Sequence, residues 1–241
     1  MTRVNQDPVP DETEAAAALD FETAVEYALQ QANDSDSHTE LDAHTFHPSQ
    51  IVRCERRAYC SKLGLEDQSD ILGIFQTGTL IHEFLEEHMA EQFPHAEFET
   101  PITHTERGIH FTGRADCYDP EVGAVYDFKT RNGWYNFDPP TQRHLDQVYV
   151  YMAALGADKG QIVYLSKSDL EVRTYPEEGF FEFDEERFGT LVEKASRIQH
   201  AIKTEGLPSG PEDIPFETCD CYFCSQETLV NADAFPGDRD A

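Results

Sequence analysis

The sequence predicts an α/β domain, a mixed sheet flanked by helices. Three observations lead there. Apolar residues recur at helical spacing in "QTGTLIHEFLEEHMAEQF", at Leu80, Ile81, Phe84, Leu85 and Met89. Three alternating runs follow, "AEFETPITH", "GIHFTGRADCYD" and "GAVYDFKT", each with strand character. A helix over about 140–155 then separates them from two more strand runs, and helix, strands, crossover helix and strands in that order build a layered α/β core.

The elements can be placed along the chain. Residues 1–45 hold 11 acids against Arg3 alone; "EAAAALDFETAVEYALQQA" has the pattern of an amphipathic helix and "NDSDSHTE" that of a linker. The folded domain is therefore expected to start near Phe46. "PSQIVRCERRAYCSKLG" predicts one helix, with Ser49 as its N-cap and Gly64 as its stop. After the crossover helix come the strands "QIVYLSK" and "LEVRTYP" and a helix over about 184–203. The division expected is an acidic N-terminal region (1–45), one folded domain (46–224) and a polar C-terminal tail (225–241).

The formal charge of −29, from 47 acids and 18 bases, makes a compact chain repel itself unless salt screens it. Molar salt shortens the Debye length to about 3 Å, so the acidity fits a salt-rich cytosol; an acidic surface for a basic partner is the other reading. Bases nevertheless gather in two places, at Arg53, Arg56, Arg57 and Lys62 and at Arg114, Lys129, Arg131 and Arg143. No apolar run approaches the roughly 18 residues of a membrane span, and the N-terminus lacks a signal-peptide pattern, so a cytoplasmic location is expected. In that reducing compartment six cysteines read as thiols or metal ligands.

"GRADCYDPEVGAVYDFKT" places Asp116, Asp127 and Lys129 inside apolar strand runs, where unpartnered charge costs several kcal/mol. If the runs form a hairpin around "PEVG" with Asp119 facing Ala124, Asp116 falls opposite Asp127. Directly opposed residues have Cβ atoms about 5 Å apart, close enough to share a divalent ion. Lys129 shares the face of Asp127 by the strand period of two. The trio reads either as a cross-strand ion pair or as a metal-and-water site in which lysine steadies a nucleophile or phosphate.

Other residues add to the trio. "GTLIH" carries Gly78 and His82 on a helix, and "HLDQVYVYM" puts Gln147 and Tyr151 four apart on one helical face. Gly-x3-His, Asp, Asp-x-Lys and Gln-x3-Tyr in that order resemble the RecB-like branch of the PD-(D/E)XK nucleases. With Cys54 before them and "CDCYFC" after them, the chain from about Phe46 to Cys224 resembles the iron–sulfur exonucleases of CRISPR adaptation. The resemblance implies a restriction-endonuclease-like core and a DNA exonuclease acting on single-stranded ends, beside CRISPR integrase proteins. It implies Mg²⁺ or Mn²⁺ on His82, Asp116, Asp127 and the Phe128 carbonyl, with Lys129 positioning water and Gln147 and Tyr151 holding DNA and site together. Arg56, Arg57, Arg114 and Arg131 are the candidate DNA contacts. A stand-alone repair nuclease and a non-catalytic DNA-end-binding subunit are the alternatives.

Cys219, Cys221 and Cys224 form C-x-C-x2-C, a spacing suited to a metal or iron–sulfur centre. The resemblance implies a [4Fe–4S] cluster completed by Cys54 and joining the two ends of the domain. The spacing is tighter than the family's, and Cys60 is a second candidate for the fourth ligand; a structural zinc on four thiolates is the alternative. Cys117, next to Asp116 but on the opposite strand face, reads as a small core residue.

The acidic composition gives the first prediction. The protein loses structure on desalting and regains it in molar KCl, as followed by circular dichroism. A stable native spectrum in dilute low-salt buffer contradicts the salt-adapted reading.

Overall fold

The computed structural model describes residues 28–29, 43–66 and 72–225. The expected tail (beyond residue 225) and the N-terminal region, apart from residues 28–29 and 43–45, lie outside them. The chain runs through β1 (Thr45–Phe46), α1 (Pro48–Ile51), α2 (Glu55–Lys62) and α3 (Leu72–Met89). Three strands follow, β2 (Glu97–Glu106), β3 (Ile109–Asp119) and β4 (Ala124–Arg131), then the crossover helix α4 (Gln142–Leu155). Strands β5 (Lys159–Ser166), β6 (Val172–Tyr175) and β7 (Phe181–Glu182) lead to α5 (Glu185–Glu205), a 3-10 turn at Pro211–Asp213 and α6 (Tyr222–Ser225).

Seven strands form one mixed sheet with the path β1-β3-β4-β5-β6. β2 lines one edge of β3 antiparallel along nearly its whole length, from Glu106 opposite Ile109 to Glu97 opposite Tyr118. The other edge of β3 is shared: β1 pairs parallel with its start and β4 antiparallel with its end. β4 and β5 are parallel, which requires the crossover through α4. β7 closes onto the first residues of β5.

The expected single helix over 49–63 is two helices. Cys54 between them is extended (φ −61, ψ 157), and its thiol accepts the Arg57 N–H at 3.4 Å, so a cysteine rather than Ser49 caps the longer helix. The two-residue strands β1 and β7 carry no periodic signal and were not legible. The 3-10 turn and α6 were not expected either; the longer elements fall where expected, with ends shifted by a few residues.

The main core fills the space between the sheet and helices α1, α2, α4 and α5, centred on Phe46, Tyr59, Phe111, Val148, Met152, Tyr164 and Leu191. On the other sheet face Cys117, Phe128 and Leu165 pack under Ile81, Leu85 and Met89 of α3, so Cys117 is the small core residue expected. α4 is tied to α5 by a bidentate pair: buried Asp146 accepts Arg187 Nε and Nη2 at 2.7 Å each, and Gln142 Nε2 at 2.9 Å. That anchor fixes the helix carrying Gln147 and Tyr151. Among the described residues no helix is long and apolar enough to cross a membrane.

Candidate functional site

The β3–β4 hairpin has the expected register, with Asp119 facing Ala124, Tyr118 facing Val125 and Cys117 facing Tyr126. Asp119 builds the turn by accepting the Glu121 and Val122 amides at 2.9 and 3.1 Å, and Gly123 supplies the left-handed residue (φ +71). The next pair would be Asp116 with Asp127, and there the ladder stops. Asp116 Oδ2 instead accepts the Phe128 N–H at 2.6 Å, replacing the lost backbone partner.

The same break occurs on the other edge of β3. β2 pairs Phe98 with Cys117 and Thr100 with Ala115; Glu99 between them stands opposite Asp116, makes no ladder pair and has a φ of +47. A left-handed backbone at a residue with a Cβ costs about 1–3 kcal/mol and persists where its surroundings impose it. Glu99, Asp116 and Asp127 thus form a row across β2, β3 and β4, with backbone pairing interrupted on both sides of Asp116. Opposed like charges destabilise a sheet, which accounts for the breaks.

His82 reaches the row from α3. Its Nδ1 lies 3.8 Å from Asp116 Oδ1 and its ring meets Phe128 edge-on. Gly78, one turn earlier, faces Thr130 of β4, where a Cβ would make an ordinary contact 3.5 Å from Oγ1. Ligating atoms of His82, Glu99 and Asp116 lie within 4.8 Å of one another. Burial, then the charges of Asp116 and Glu86, push the Glu99 carboxyl above the usual carboxylate range.

Asp127 is fully buried. Lys129 Nζ sits 2.6 Å from both of its oxygens, yet only Oδ1 receives a well-directed hydrogen bond; Oδ2 is a buried acceptor without one. Burial pushes the Asp127 carboxyl up to about 7 and Asp116 adds to this, against the attraction of Lys129. Of the expected metal set, the structure brings His82 and Asp116 together and adds Glu99. Asp127 is turned onto Lys129, and the Phe128 carbonyl lies 3.5 Å from Lys129 Nζ. Gln147 Nε2 donates to the Tyr151 hydroxyl at 2.8 Å. Burial first, then Asp127 and Asp116, hold that phenol well above its ordinary pKa, so it stays protonated beside the row. His144 bonds the Tyr164 hydroxyl at 3.1 Å; burial, then Lys129 and Arg143, lower it to about 3, and it is neutral.

The four arginines expected to meet DNA have different surroundings. Arg114 is 69% exposed, 3.9 Å from Glu99. Arg56 donates to the Phe216 and Pro211 carbonyls, Arg57 pairs with buried Glu66 and lies over the Phe223 ring, and Arg131 bonds the Gly133 and Tyr135 carbonyls and covers Phe137. Those three brace the C-terminal segment, the Glu66 corner and the loop after β4.

A second cluster stands apart. The sulfurs of Cys54, Cys219, Cys221 and Cys224 lie within 4.8 Å of one another, with Cys54–Cys221 at 3.7 Å and Cys54–Cys224 and Cys219–Cys224 at 3.8 Å. Cys60 is not of this group: it is fully buried in the main core, and burial pushes its thiol up to about 12. Burial also raises Cys54 and Cys224, whereas at Cys221 it is outweighed by hydrogen bonds from the Cys224 amide and neighbouring thiols, leaving it at about 7. Loading a metal here expels protons.

No family model matches the chain, and no curated protein matches it. Among solved structures it is similar to a protein described as SSO0001, at 22% identity and a TM-score of 0.55, over 74% of this chain and 88% of that one. That likeness shows a shared fold. It is also similar to an alkaline exonuclease from Laribacter hongkongensis (14% identity, TM-score 0.49, 67% and 89% coverage). A phage-related exonuclease from Haemophilus somnus 129PT is more distant in shape (14% identity, TM-score 0.43, 65% and 92%).

The row yields a prediction at Glu99. Glu99→Gln removes one of the crowded charges, so in metal-free buffer stability rises by a few tenths of a kcal/mol. The increase in melting temperature caused by Mn²⁺ shrinks at the same time. Thermal unfolding with and without Mn²⁺ checks both; an unchanged Mn²⁺ response removes Glu99 from the site.

Proposed function

We propose that the chain is a metal-dependent DNA exonuclease acting on single-stranded ends. The observation that carries this is the interrupted row: three carboxylates on adjacent strands, with a histidine at one side and a lysine at the other. A structural ion pair does not need the strained Glu99 backbone. The carboxylate donors suit Mg²⁺ or Mn²⁺, and His82, Glu99 and Asp116 would hold the ion, with Asp127 paired to Lys129 alongside. When bound, it would polarise the scissile phosphodiester and offset the charge that develops there.

The chain's own groups supply the rest. Lys129, 18% exposed and steadied by Asp127, donates hydrogen bonds that orient the attacking water or stabilise charge on a phosphate oxygen. Tyr151, kept protonated, holds Gln147 beside the row. Arg114 stands at the exposed rim, where it meets a DNA phosphate. The ordered motifs extend the proposal to trimming spacer precursors beside CRISPR integrase proteins.

The test is a nuclease assay on end-labelled single strands in high KCl with and without Mn²⁺. Asp127→Ala and Lys129→Ala each slow cleavage about 100-fold or more, while DNA binding and circular dichroism stay near wild type. Cleavage at the wild-type rate by either folded variant would defeat the assignment.

A further inference from the structure

We propose that the cleft between the loop after β4 and strand β6 holds unstacked bases of the single strand whose end enters the carboxylate row. The inference rests on the nuclease reading for the identity of its ligand. Strand register places the cleft. Lys129 of β4 stands beside Tyr164 of β5, and Tyr164 beside Arg173 of β6, so the three share one sheet face. Two strand spacings put Arg173 about 10 Å from Lys129. β6 is the last strand of the sheet path. Over this end of the face lies a cleft of about 770 Å³, with Phe137 and Pro139 on the loop side and Val172, Arg173 and Tyr175 on the strand side.

The walls have the chemistry of a base platform. Phe137 packs edge-on against buried Tyr164, with ring centres 4.8 Å apart. Arg131 covers Phe137 at 4.1 Å and stands 5.8 Å from the Trp134 ring, and Arg173 covers Trp134 at 4.4 Å. Rings and guanidinium planes thus alternate from Tyr164 out to Arg173. Glu171 fixes the outer end: its Oε2 accepts the Trp134 indole N–H at 2.8 Å, and its Oε1 lies 3.3 Å from Arg173 Nη2. The Arg173 side chain is still 48% exposed. With Glu171 offsetting its charge, and Glu177 also lining the cleft, a phosphate is disfavoured there and a flat, neutral base is not. Bases stack on aromatic rings and on guanidinium planes, which the paired bases of a duplex are not free to do. The composition points the same way. An excess of 47 acids over 18 bases repels DNA, and salt that screens the repulsion weakens phosphate contacts as well. Stacking, an apolar attraction, survives that screening.

The test titrates the full chain, with Mn²⁺ withheld and in high KCl, against a fluorescently labelled oligodeoxyadenylate and an abasic strand of the same length. Anisotropy gives the affinity, and emission from Trp134, the one tryptophan of the chain, reports on the cleft. The adenine strand is expected to quench Trp134, and the abasic strand to bind about tenfold more weakly without the quench. Arg173→Ala weakens binding of the adenine strand about tenfold, and Arg173→Lys, which keeps the charge but loses the planar face, does not restore it. With Mn²⁺ added, Arg173→Ala raises KM and leaves kcat near wild type. Equal affinity for the two strands overturns the proposal whether or not the chain cleaves DNA. So does wild-type affinity in either Arg173 variant with a native circular dichroism spectrum. Base-dependent binding with Trp134 quenching, but no Mn²⁺-dependent cleavage, supports the cleft and counts against the nuclease reading instead.

Discussion

Mutual repulsion among Glu99, Asp116 and Asp127 governs the middle of this molecule. Three carboxylates in register on adjacent strands cannot sit together in a half-buried sheet without cationic or hydrogen-bonding partners. The protein meets part of that need itself: Phe128 N–H bonds Asp116, and Lys129 covers Asp127. What is left over is a group of His82, Glu99 and Asp116 donors beside the two ladder breaks. The surrounding architecture follows from this. β1 takes the start of the β3 edge that β4 leaves, α3 brings His82 across one face, and α4, anchored through Asp146 and Arg187, brings Gln147 and Tyr151 to the row.

The cysteine centre acts on a larger scale. It brings Cys54, just before α2, against a segment more than 160 residues later, so a metal held there would close most of the domain into one loop. The basic residues near it serve the same closure. Arg56 and Arg57, which look like a nucleic-acid patch in sequence, are used on carbonyls, Glu66 and Phe223. Among the described residues, Lys129 and Arg114 pair with the carboxylate row, at Asp127 and Glu99.

Much of the site was legible because the β3–β4 turn is short and strand periodicity is strict. Asp119 and Gly123 fix the turn, the turn fixes the register, and the register places Asp116 against Asp127. Glu99 was missed although the same signal was present: Glu106 facing Ile109 across the β2–β3 turn, counted back along both strands, sets Glu99 opposite Asp116. Its unusual backbone carries no mark in sequence, since the surrounding charges impose it. The break between α1 and α2 was illegible for a related reason. No glycine lies there and the nearest proline, Pro48, opens α1; the cap is a thiol. Spacing grouped Cys219, Cys221 and Cys224, and the approach of Cys54 to them depends on how two distant segments pack.

The central claim is that the leftover donors beside the ladder breaks form a divalent-metal site. Anomalous diffraction from a crystal grown with Mn²⁺ tests it most directly. The account predicts a manganese peak in contact with His82, Glu99 and Asp116, with Asp127 and Lys129 alongside. An ordered site with no peak among these three residues, or with manganese bound only elsewhere on the acidic surface, would contradict it.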